Sequence, residues 1–156
     1  PQTFTLPDNY VPPITGDTVT RAMCDYAASN REGTGIVRRF DTVTVKQVSD
    51  GLSKTMLAGE KRMNVAFLGQ PQDDDNEGYA AGWNSDNMRN TDKSPRRDHR
   101  EAGDGDNRFG ASHLGNWNAV FADVAVHSLS YEVDYTVLRQ LGAIDDGGSV
   151  DLGQFD

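Results

Sequence analysis

Cysteine is almost missing from this chain. A single thiol, Cys24, among 156 residues excludes an intrachain disulfide and any zinc site built on two cysteines. A cysteine nucleophile needs a lowered pKa and a nearby base. The run TRAMCDYAAS offers nothing of the kind beyond Arg21, so Cys24 reads as a buried strand residue. Long apolar runs are lacking too: no segment approaches the roughly eighteen apolar residues of a membrane span, and no charged-then-apolar signal opens the chain. Basic charge is in short supply, with 15 Lys and Arg against 24 Asp and Glu and a net charge of -9. That balance argues against a phosphate backbone as the main partner and sets nucleic-acid binding aside. Only 36% of residues are hydrophobic and mean hydropathy is -0.65, which implies a small core under long polar loops. Two Trp, five Tyr and six Phe must supply much of its burial, because each removes a large apolar area from water.

What is present organises as one domain behind an arm. Residues 1–17 hold Pro1, Pro7, Pro12 and Pro13 and should run extended, since proline blocks a helix interior and biases its predecessor away from helix. This lead reads as the middle of a longer protein. Residues 18–156 then form a single β-rich head. Rough alternation predicts a strand over 18–28 and a half-buried strand over 36–48, with turns at 33–35 and 49–51. A short strand is expected over 55–61, with 63–69 extending it or adding another. From 70 to 112 the chain is dense in Asp, Asn, Gly and charge, and only GYAAGW at 78–83 could pair. A loop that long is usually functional, or tied down by an ion or by packing. WNAVFA and VHSLSYE, at 117–122 and 126–132, have hairpin spacing. DYTVLRQLGA, at 134–143, reads as a short helix capped by Asp134 and stopped at Gly142. A turn at 145–148 and a polar tail or edge strand end the chain. The fold class is therefore α+β: an antiparallel sheet, long irregular loops and one short C-terminal helix.

The stretch RFGASHLGNWNAVFADVAVHSLSYEVDYTVLRQLG resembles the C-terminal signature of the DUF1559 family, PulG-like, prepilin-type proteins whose hallmark is a His, nine intervening residues, then Asp-Gly. His113 and Asp123 have that spacing. VSDGLSKTMLAGEK, with Asp50, Gly51 and Glu60, is similar to the family's TDGTSNTILVGEK segment. GWNSDNMRNT leading into GDGDNRFGASH is similar to the stretch before its His. One departure stands out: the family's Gly after the Asp is Val124. A β-branched residue resists positive φ, so the hairpin is expected to turn differently, with a longer loop through Ala125. The resemblance implies a pseudopilin-like head domain, extracytoplasmic, lacking in this chain the apolar N-terminal helix with which family members begin. Phe4-Thr5-Leu6 echoes that start, but Pro7 and Asp8 follow it.

Several constellations carry candidate chemistry. His113, Asn118 and Asp123 could outline an active site, yet nucleophilic hydrolysis needs a Ser or Cys facing the His. Ser112 is adjacent, and neighbours on an extended chain point to opposite faces. The structural reading, in which His113 and Asp123 pin loop backbone at the ends of a hairpin, is the stronger. A zinc site on His99, His113 and His127 lacks close spacing. DDDNEG at 73–78 has an EF-hand's opening carboxylates, but its twelfth position is Asn84 and no helices flank it. Asp73, Asp75, Asp104 and Asp106 remain the candidate calcium ligands, and calcium the one cofactor to expect. Some secretion pseudopilins, which the family distantly resembles, hold calcium in a C-terminal loop. RRDHR, at 96–100, is a basic cluster that could meet acidic loops of a neighbouring subunit.

Two functions follow. The first is a non-enzymatic assembly subunit that packs with itself or with other pilin-like subunits and reaches a membrane only through an N-terminal helix outside this chain. The alternative is a cell-surface module that binds glycan or peptide on Trp83, Trp117 and nearby tyrosines beside a calcium-ordered loop.

Overall fold

A computed structural model of the chain describes residues 2–5, 18–21, 23–76, 78, 82–148, 150 and 151. Its elements are strands β1 (Gln2–Thr5), β2 (Thr18–Arg21), β3 (Tyr26–Ser29), β4 (Met56–Glu60), β5 (Met88–Arg89), β6 (Asn116–Phe121) and β7 (Val126–Ser130), and helix α1 (Tyr135–Gly142). The fold is α+β. A five-stranded sheet has the order β5-β3-β4-β6-β7, antiparallel except where β5 joins β3 in parallel. β1 and β2 form a separate antiparallel pair. Among the described residues, no helix is long and apolar enough to cross a membrane.

Alternation builds the core face. Trp117, Ala119 and Phe121 of β6 point inward, as does Leu129 of β7, and Leu138 and Leu141 of α1 pack against them. Asp134 starts the helix by accepting from the amides of Thr136 and Val137, which satisfies donors that would otherwise lack partners. Phe109 comes in from the long loop and stacks on Trp117 with ring centroids 5.2 Å apart. β4 makes room for that pair with Gly59: a Cβ there would lie 2.5 Å from Cζ3 of Trp117. Its register against β6 shifts between Met56 and Ala58. The bulge lets Met56 and Gly59, three residues apart, both face the core, and it leaves Glu60 on the outer face.

Several expected strands came out otherwise. The run over 18–28 is two strands interrupted before β3, and buried Cys24 lies in the interruption. The alternating run over 36–48 forms no strand; it is irregular apart from a 3-10 turn at Val45–Gln47, and Val45 stays 68% exposed. β3 and β6 occupy both sides of β4, and the segment pairs with neither edge strand, β5 or β7. Residues 63–69 likewise hold a 3-10 turn, Val65–Phe67, with Asn64 accepting from the amide of Ala66. Within GYAAGW, Tyr79, Ala80 and Ala81 lie outside the described residues.

Candidate functional site

The outer face of β4 and β6 carries a three-residue cluster. Bonds from Phe121 N to Ala125 O at 2.9 Å and from Tyr131 N to Gly115 O at 3.3 Å set the β6–β7 ladder so that the amide of Asn118 points away from β7. It points toward β4, and there it donates to Oε2 of Glu60 at 2.7 Å. Glu60 Oε1 lies 3.4 Å from Asn118 Nδ2 and 3.3 Å from His113 Nε2. His113, Asn118 and Glu60 therefore meet, beside a cavity of about 290 Å3 that Ser112 and Asp98 also line. The hydroxyl of Ser112 donates to Asp98 Oδ2 at 2.6 Å, and no bond joins it to His113. The cluster holds a loop to a sheet; it does not present an activated nucleophile.

Asp123 lies at the other end of the hairpin. A six-residue strand separates it from His113, roughly 20 Å at strand rise, so the two share no chemistry. Asp123 Oδ1 accepts from the amide of Ala125 at 3.0 Å, and Val124 N donates to Phe121 O at 2.9 Å. This is a tight turn closed by one residue in the left-handed region, the position that glycine usually fills. Here Val124 fills it, at φ 71°. The expectation of a different, longer turn is thus corrected: the bonds on either side hold the backbone in the glycine-type geometry despite the β-branched side chain.

Asp50 and Gly51 form a third clasp. The Asp50 carboxylate accepts from the amides of Asp146 at 2.9 Å and Gly147 at 3.1 Å, while Asp50 N donates to Ile144 O. Gly51 takes φ 102°, a conformation open mainly to glycine, and its carbonyl receives the hydroxyl of Thr55 at 3.1 Å.

Residues 7–136 match the model of a family described as protein of unknown function (DUF1559). The chain belongs to the DUF1559 family. Comparison with curated proteins and with solved structures yields no match.

Sequence reasoning missed the centre that orders the long loop of this DUF1559 member. Lys61, next to Glu60, turns inward and donates to Asp75 Oδ1 and to the carbonyl of Asp86, each at 2.7 Å. Arg89 of β5 reaches Asp74 Oδ2 at 3.1 Å, and the amides of Gly105 and Asn107 donate to the same carboxylate. All four ion-paired side chains are at most 1% exposed. Burial pushes the Asp74 carboxyl up against the opposing pull of Arg89 and the two amides, and burial likewise lowers Arg89. The sequence held a signal: an Asp run with no local counter-charge, and one Lys ending a strand.

The calcium candidates are not brought together. Asp75 is committed to Lys61, Asp106 to Arg108 and Lys93, Asp104 Oδ1 accepts from the amide of Asp106, and Asp73 is exposed. Among the described residues no three His, Cys, Asp or Glu groups are placed to share a metal ion. The chain's own cations hold this loop. The three histidines also part: His99 contacts the carbonyl of Asp104 at 2.7 Å, and His127 packs edge-on against Phe121.

Proposed function

We propose that the protein is a non-enzymatic assembly subunit, a pseudopilin-like, extracytoplasmic head that works by packing with itself or with other pilin-like subunits. One observation carries the reading. Glu60, Asp50 and Asp123, the acids of the family-like segments, all spend their carboxylates on backbone amides of distant or turning chain. A family signature used up in stitching loops to a sheet points to a shape being maintained, not to a reaction. The glycan-or-peptide alternative loses Trp117, which is fully buried and cannot offer a stacking face, though Trp83 still lines an apolar cleft with Tyr26 and Met88.

Light scattering and electron microscopy of the purified full-length gene product test the proposal. A defined oligomer or filament is expected. A strictly monomeric, dispersed protein at high concentration would sink it.

A further inference from the structure

Arg62, Arg96 and Arg97 line one open cleft of about 660 Å3, whose other walls include Leu114, Tyr131 and Glu132. Elsewhere in the head Lys61, Arg89, Lys93 and Arg108 each sit on a carboxylate. No such ion pair reaches these three arginines among the described residues. The acids whose charges act on Arg62 are Asp106 and Asp98, and both are occupied. Asp98 accepts from the amide of Met63 at 2.7 Å and from Ser112 Oγ at 2.6 Å, and Asp106 holds Arg108 and Lys93. Glu132 offsets one charge, so three arginines and one glutamate leave the described lining with two net positive charges.

The arginines are held together at a cost. Burial and the charges of Arg96 and Arg108 keep Arg62 below its ordinary pKa. Backbone bonds fix the walls: Arg96 N to Phe109 O, Asp98 N to Ala111 O and Arg62 N to Arg108 O. Gly110 lets the strap at 94–97 approach, since a Cβ there would lie 1.8 Å from the carbonyl of Arg96. Arg62 Nε is spent on Arg97 O at 3.0 Å, which orients its guanidinium. The hydroxyl of Tyr131 is spent as well, donating to Ala111 O and accepting from Ala111 N. The cleft therefore offers guanidinium groups and apolar faces. In a chain of net charge -9, a lining of net positive charge attracts an anion locally.

We propose that this cleft binds a small organic oxyanion, its carboxylate, sulfate or phosphate held by Arg62, Arg96 and Arg97 and its body packed on Tyr131 and Leu114. Forked guanidinium groups suit planar or tetrahedral oxyanions through paired hydrogen bonds, and the volume matches ordinary small-ligand sites.

The test is an amide NMR titration of the chain with acetate, glucuronate, sulfate and inorganic phosphate, each at ionic strength held constant with potassium chloride. Saturable shifts confined to residues 62, 94, 96, 97 and 131–133 are expected, and the four probes separate a carboxylate ligand from a sulfate or phosphate one. Arg96 and Arg97 are exposed, so R96Q/R97Q should fold normally and weaken binding by about tenfold or more, as lost charged hydrogen bonds do. The R96K/R97K variant, which keeps charge but loses the fork, should fall between the two. Linear shifts matching chloride for all four probes, or affinity unchanged in R96Q/R97Q, would overturn the proposal.

Discussion

Replacing Val124 by glycine should make the protein more stable. Val124 sits at φ 71°, where an L side chain costs roughly 1–2 kcal/mol. The side chain is 78% exposed, so deleting it forfeits little burial. Against the gain stands the freedom of glycine in the unfolded chain, which takes back roughly 0.4–1 kcal/mol. The net is a stabilisation of about 1 kcal/mol, or roughly 2–4 °C in Tm for a chain of this size. Thermal and urea unfolding of V124G beside V124A give the measurement. Alanine keeps a Cβ in the left-handed region, so it should recover only part of the gain, while the denaturant slope stays constant. A V124G protein that melts below the parent would refute the reasoning, because it would mean that the hairpin does not hold this residue at positive φ.

Three further outcomes follow from the same geometry. Lys61→Met should destabilise by about 3–5 kcal/mol, the usual cost of leaving a buried charge alone; adding Asp75→Asn should recover part of it, and a double-mutant cycle by urea unfolding measures the coupling. Glu60→Ala should cost about 1–3 kcal/mol, since it strands the part-buried amide of Asn118, whereas His113→Ala, at a half-exposed side chain, should cost less; equal losses in chemical denaturation would contradict the assignment of Glu60 as the anchor. Glu32 shares a hydrogen bond with the Asp92 carboxyl, which raises its pKa above the ordinary 4.5. The stability this brings is complete below pH 4.5 and is lost as pH rises through the folded-state value. Glu32→Gln should therefore raise Tm at pH 7 and leave it unchanged near pH 4; a benefit of the same size at both would exclude the carboxyl pair as its source.

The hairpin and helix were legible because their signals are local and agree. Alternation in β6 and β7, the Asp134 cap and the spacing of Leu138 and Leu141 all name the same face. Residues 36–48 alternate equally well and still form no strand, since alternation says which face could be buried but not whether a neighbouring strand has an edge to offer. Val124 is the reverse case. Local preference argued for another turn, and the bonds at Phe121, Asp123 and Ala125 overrode it. The long loop was visible as a loop, yet its fastening was not: the partners of Asp74 and Asp75 are 15 and 14 residues away, at Arg89 and Lys61, and nothing in a linear acidic run names its cation. For the same reason Asp75 looked available to calcium.

Glu60 and Lys61 are consecutive, and β4 sends them to opposite sides. One meets His113 and the amide of Asn118; the other meets Asp75 and the carbonyl of Asp86. A one-residue slip of β4 would exchange them. The glutamate would then enter a pocket already filled by aspartates, and the lysine would face a donor amide and an imidazole. Both contacts would be repulsive at once. The dipeptide thus acts as an electrostatic proofreader of strand alignment, rejecting the shifted pairing from both faces before the core has to.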